Sequence, residues 1–143
     1  MPPQWTMPLL NFTLRSGSVY YLQHREMTSP EPHYFVVLNS NPSANEFLVL
    51  IVASSKVETV KRRRKNLPES TLVEIAPTDY SEFSQQSIID CNQCFRFSRQ
   101  ELLNKLQQRV ANEKKPIPED IVDKLRQGIL ASPLIENEIK EMV

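Results

Sequence analysis

Apolar positions in the first two thirds of the chain fall in short blocks with strand-like spacing, and those of the last third recur at helical spacing. Residues 10–14 and 18–22 are β-prone and are separated by Arg15-Ser16-Gly17, where Gly17 suits a turn of positive φ. The polar stretch 24–32 holds Ser29-Pro30-Glu31-Pro32; prolines this close forbid a helix and a central strand, so a loop is predicted. Residues 33–38 (His-Tyr-Phe-Val-Val-Leu) predict a strong strand, 39–45 a polar turn and 47–53 (Phe-Leu-Val-Leu-Ile-Val-Ala) a second strong strand. Their continuous apolar runs predict burial on both faces, as in a tightly curled sheet or barrel, and the two read as an antiparallel hairpin. Residues 56–66 are helix-capable until Pro68. Strand character returns at 71–75 and in the pieces 87–90 and 93–97, where Phe95 and Phe97 share a face opposite Arg96.

In the last third, Ser98-Arg99-Gln100-Glu101 fits a capping box, followed by a stripe of Leu102, Leu103, Leu106 and Val110. Lys114-Lys115-Pro116-Ile117-Pro118 breaks the chain. A second helix is predicted from about Glu119, with Ile121, Val122, Leu125 and Ile129 inward and an acidic first turn that suits the helix dipole. Ser132-Pro133 reads as the N-cap and first residue of a third helix carrying Leu134, Ile135, Ile139 and Met142. The expected fold class is α+β, mainly β with C-terminal helices: one domain over 1–143, its barrel-sized sheet in 1–97, a closing helix at 98–112 and appended helices at 116–143. Their stripes need a surface to bury against, their own sheet or a partner's groove.

Composition narrows the chemistry. Two glycines stand where average usage gives roughly ten, so no glycine-rich phosphate loop can be written. The seven-residue apolar run 47–53 falls short of the ~20 residues of a membrane helix. Met1-Pro2-Pro3-Gln4-Trp5 lacks the features of a secretory signal, so a soluble, cytoplasmic protein without membrane partners is expected. Cys91 and Cys94 form a Cys-x-x-Cys pair, but a structural zinc usually needs four ligands and His24 and His33 are distant in sequence. The pair is expected to pack as small hydrophobes in a half-buried strand, with a zinc-stapled adaptor as the weaker alternative; no metal and no cofactor is called for.

Charge sharpens it further. Lys plus Arg and Asp plus Glu number 17 each, yet Lys56, Lys61, Arg62, Arg63, Arg64 and Lys65 face one acid, Glu58, within ten residues, a local +5. Such a run contacts polyanions, or else it is a solvated face or meets a protein partner. If the strong strands form a hairpin, His33 at the start of one and Ser54, Ser55 and Lys56 at the end of the other share an edge. Histidine suits proton transfer near neutral pH, a cation beside it stabilises developing charge, and Asp90 is placed to orient the histidine or act as a base. The alternatives are a surface or core histidine and ordinary turn serines.

The order of these segments resembles the PemK/MazF-like family of plasmid-maintenance and growth-inhibitor toxins over about residues 16–111. Gly17-Ser18-Val19-Tyr20-Tyr21 is similar to its opening block. His33-Tyr34-Phe35-Val36-Val37-Leu38-Asn39 is similar to the block that begins with a basic residue, with His33 at the arginine's place. Leu50-Ile51-Val52-Ala53-Ser54-Ser55 matches the strand ending in Thr-Ser, with Ser54 at the threonine's place, and Ser87-Ile88-Ile89-Asp90 resembles the later aspartate block. The resemblance implies an SH3-like barrel, commonly dimeric, that cuts single-stranded RNA without a metal and is held by an antitoxin. The RNA 2′-hydroxyl would attack the adjacent phosphate. His33 would be the acid or base, Ser54 a donor to phosphate, Asp90 an orienting group or base and Lys56 a charge stabiliser. Lys61, Arg62, Arg63, Arg64 and Lys65 would track the RNA backbone, with Tyr34 and Tyr21 as stacking platforms. The substitution at the arginine's place and the extra C-terminal helices fit the alternative, an inactive barrel serving as a protein-interaction module.

Overall fold

The computed structural model describes residues 4–143. The chain runs α1 (Met7–Thr13), β1 (Val19–Leu22), β2 (His33–Val37), β3 (Leu48–Ser54), α2 (Val57–Arg63), a 3₁₀ turn (Glu69–Thr71), β4 (Leu72–Ile75), β5 (Ser87–Asp90), β6 (Phe95–Phe97), α3 (Arg99–Gln107), β7 (Asn112–Lys114), α4 (Glu119–Ala131) and α5 (Asn137–Lys140). The fold is α+β. Its seven-stranded antiparallel sheet has the order β4-β5-β3-β2-β1-β7, and β6 lies on β3 beside β5. β2 and β3 pair as expected, with Phe35 opposite Val52 and Val37 opposite Leu50. β3 holds two partners on its other edge. Its first half pairs with β6 (Leu48 opposite Phe97), and its last residues pair with β5 (Ser54 opposite Ile88).

β3 organises the core because its side chains alternate between two apolar clusters. Val49, Ile51 and Ala53 join Val19, Val36, Val73, Ile75 and Ile89 on one face, covered by Ile121, Val122, Leu125 and Ile129 of α4 and Ile139 of α5. Leu48 and Leu50 join Tyr20, Phe35, Val37, Phe95 and Phe97 on the other, covered by Leu10 of α1 and Leu102, Leu103 and Leu106 of α3. Burial on both faces is thus achieved by helices on either side of an open sheet; among the described residues β4 and β7 share no ladder that would close a barrel. The helices after residue 115 pack on their own sheet, and each apolar side chain they bury contributes roughly 1.5–3 kcal/mol.

Several local expectations are corrected. Residues 10–14 fall in and just after helix α1 instead of a strand. The Thr6 hydroxyl accepts from the Leu9 N–H (3.3 Å), Pro8 stands in the first turn, and Leu10 and Leu14 follow each other on the buried side. Ser98 does form the capping box with Glu101, but α3 ends at Gln107 and Val110 is 54% exposed. The polar segment after it adds an unanticipated edge strand, β7, whose charges carry no apolar alternation to reveal it. Ser132 ends α4 and does not start the next helix, which begins at Asn137. Cys91 and Cys94 sit in the turn after β5, with Cys91 in the core.

Both glycines serve the docking of α4. A Cβ on Gly17 (φ +96°) would stand 2.9 Å from Val122 Cγ2, and one on Gly128 would stand 2.7 Å from Cys91 Sγ and 2.9 Å from the Ser70 carbonyl oxygen. Gly128→Ala is therefore expected to cost about 1–3 kcal/mol of unfolding free energy by overpacking, read as a lower urea midpoint. An unchanged midpoint would show that α4 does not lie this close to Cys91.

Candidate functional site

Where β2 begins and β3 ends, both strands run out from under the helical covers. Extending the Phe35–Val52 register by two residues sets His33 opposite Ser54. A cleft of about 690 Å³ opens there, lined by Tyr21, His33, Tyr34, Ser54, Lys56 and Arg63 among others. The expected juxtaposition of His33, Ser54 and Lys56 is therefore present. Ser54 Oγ accepts from the Lys56 N–H (3.1 Å), which turns the chain from β3 into α2. His33 lines the cleft, and its buried Nδ1 has no hydrogen-bond partner among the described residues.

Tyr34 stands between cleft and core. Its ring lies 4.7 Å from that of Tyr21 and meets Phe83 edge-on at 5.2 Å, and its hydroxyl donates to the Glu82 carbonyl (3.2 Å). Burial, then the Glu82 carboxylate, raise its phenol above the usual range. Tyr21 faces the cleft on one side, with the Lys114 ammonium 5.9 Å from its ring centre.

The opposite wall is the loop after β1, which contributes Glu26, Ser29 and Glu31. His24 anchors that loop. It is fully buried among Phe35, Phe95 and Phe97; its Nδ1 accepts from the Glu26 N–H (3.1 Å) and its Nε2 lies 3.2 Å from the Arg96 carbonyl oxygen, so Nε2 carries the proton. The two histidines thus have separate roles, one holding the cleft's wall and the other facing its space. Two carboxylates, Glu26 and Glu31, balance the cations Lys56 and Arg63 around the opening. The wall's acids carried no sequence signal because they lie in a loop without periodicity.

Asp90 is not at this site. It is buried on the inner end of β5, where Oδ2 accepts from Arg64 Nε (2.8 Å) and Oδ1 accepts from the Asn92 N–H (3.0 Å) and Asn92 Nδ2 (2.9 Å). Since Ser54 is level with Ile88, Asp90 falls two residues inside the sheet, and no hydrogen bond joins it to His33.

The basic run divides by helical spacing. On α2, Val60 points to the core, Lys61 pairs with Glu74 of β4 (3.0 Å), and Arg64, just past the helix end, pairs with Asp90. The Glu74 bond raises the Lys61 ammonium above its usual range. Lys56, Arg62, Arg63 and Lys65 are exposed and make no ion pair among the described residues, with Lys56 and Arg63 turned to the cleft. The sequence did not separate these two sets because five of the six cations, residues 61–65, are contiguous.

The Cys-x-x-Cys pair does not line the cleft. Burial pushes the Cys91 thiol up strongly, with the neighbouring Cys94 and Asp90 adding to it, and pushes Cys94 up to about 12. Compared with protein-family models and with curated proteins, the chain matches none.

The thiols supply a direct check on this geometry. Cys91 is not expected to react with iodoacetamide at pH 8 in the native protein, because it is buried in the core and almost none of it is thiolate, whereas both thiols should label in denaturant; native labelling of Cys91 would contradict its burial.

Proposed function

We propose that the chain binds single-stranded RNA in the cleft between β2, β3 and α2, and cleaves it by the metal-independent chemistry that the PemK/MazF-like resemblance implies. The observation that carries this reading is the convergence of His33 with the sequence-distant pair Ser54 and Lys56 on one cleft with Arg63 and two tyrosines. In this reading the open sheet is a divergent SH3-like arrangement extended by C-terminal helices.

The chemistry follows from what the walls offer. A phosphodiester lies against Lys56 and Arg63, the Ser54–Ser55 turn supplies hydroxyl donors, and bases stack on Tyr21. His33 Nε2 accepts the proton of the attacking 2′-hydroxyl as the new P–O bond forms, or donates one to the leaving oxygen as the old bond breaks. The exposed Arg62 and Lys65 extend the contact along the backbone. Asp90, Lys61 and Arg64 have no catalytic or phosphate-binding part in this scheme, since their charges are committed to one another and to Glu74. An antitoxin-like protein and a second copy of the chain are the partners this reading carries with it.

A second reading is a protein-interaction module that has lost catalysis. It is favoured by Glu26 and Glu31, whose carboxylates face a phosphate-bearing ligand unfavourably, and by the absence, among the described residues, of an orienting bond to His33 Nδ1.

Incubation of single-stranded RNA with the protein in EDTA separates the two. Cleavage is expected, with His33→Ala reducing it by roughly 10²–10⁴-fold as for loss of an acid–base group. Failure of the wild-type protein to cut at high concentration would exclude catalysis, and undiminished cutting by His33→Ala would move the site elsewhere.

A further inference from the structure

We infer that Asp90 and Arg64 are positioning residues that hold α2 against the sheet, through a buried polar relay reaching back to the end of α4. This inference rests on the proposed use of α2 by RNA only in its binding arm; its structural arm stands alone.

α2 has little else to hold it. Seven residues are too few for a helix stable by itself in water, no side chain caps its start, and Val60 is its buried residue. The Lys61–Glu74 pair is open to solvent on both sides. Arg64–Asp90 is different: the Asp90 side chain is 7% exposed, and Arg64 reaches it from just beyond the helix end. Such a pair tethers strongly because removing one partner leaves the other charge buried alone.

Asp90 is itself held in place. Its Oδ1 is fixed by the backbone N–H and side-chain amide of Asn92, and the same amide donates to Thr71 Oγ1 (2.9 Å). On its other side Asn92 accepts from Ser132 Oγ (2.7 Å), and Ser132, fully buried where α4 ends, accepts from the Leu134 N–H (3.1 Å). Thr71 closes the network by donating to the Pro68 carbonyl (2.6 Å) in the segment that follows α2. One connected set of hydrogen bonds thus runs from the α4 terminus, past the turn after β5, to the helix that brings Lys56 and Arg63 to the cleft. Bonds of this kind at low local dielectric reinforce one another, so loss at the far end is felt at the near end.

Amide hydrogen exchange over residues 57–64 and binding of a short single-stranded RNA test this together. In Asp90→Asn the α2 amides are expected to exchange on the order of 10-fold faster or more, while β2 and β3 keep their protection. RNA affinity should fall about tenfold with the His33-dependent pH profile unmoved, and Arg64→Lys should recover part of the affinity lost in Arg64→Gln. In a Lys56→Ala, Arg63→Ala background Asp90→Asn should add less than about twofold, because the cations it positions are already gone. Ser132→Ala, a milder change far from the cleft, should act in the same direction, and it serves as the probe where Asp90→Asn does not fold. Unchanged exchange in α2, an altered pH profile in Asp90→Asn, or a full additive loss in the cation-free background would each overturn the inference. If the wild-type protein binds no RNA, the functional reading fails while the exchange measurement still decides the role of the relay.

Discussion

β3 has no polar face. From Leu48 to Ile51 every side chain is buried, alternately on one side of the sheet and the other, and the rest of the fold answers to that constraint. A strand of this kind needs cover on both faces, and the chain supplies it as two helical layers drawn from distant parts of the sequence. α1 and α3 come from either side of the β segment, and α4 with α5 come last. The close approach that α4 needs explains where both glycines stand in a chain that otherwise turns on proline, asparagine and serine.

The cleft follows from the same arrangement. A strand buried on both faces can expose functional groups only where it emerges from the covers, and β3 emerges at Ser54-Ser55, beside the first residue of β2. Polar groups collect at that rim because water reaches it. The turn made by Ser54 and Lys56 then delivers α2, whose two sides divide the labour. Lys61 and Arg64 fasten the helix region to β4 and β5, and Lys56 and Arg63 face the opening.

Much of this was legible in the sequence, and the rest was hidden for identifiable reasons. The β2–β3 hairpin and the meeting of His33 with Ser54 followed from two apolar runs of matching length. The start of α3 followed from its capping box, and the inner face of α4 from its periodicity. α1 was misread because five residues of apolar character do not separate helix from strand, and the capping signal of Thr6 and Pro8 lay upstream. A barrel was expected because two-face burial alone does not say whether a sheet closes or helices cover it. Asp90 resembled a catalytic aspartate by its place after an apolar pair, yet its environment was set by Arg64, Asn92 and Ser132, which no local pattern connects. Contiguity likewise made five cations look alike that a helix sends in two directions.

Mapping backbone amide shifts while a short single-stranded RNA is added in low salt decides whether the proposed β2–β3–α2 rim is where RNA binds. Changes are expected to concentrate at His33, Tyr21, Ser54, Ser55, Lys56 and Arg63 and to fade with added salt as phosphate contacts are screened, with little change along α4. Shifts confined to α4 and β4, or none at all at concentrations that saturate weak nucleic-acid binding, would contradict it.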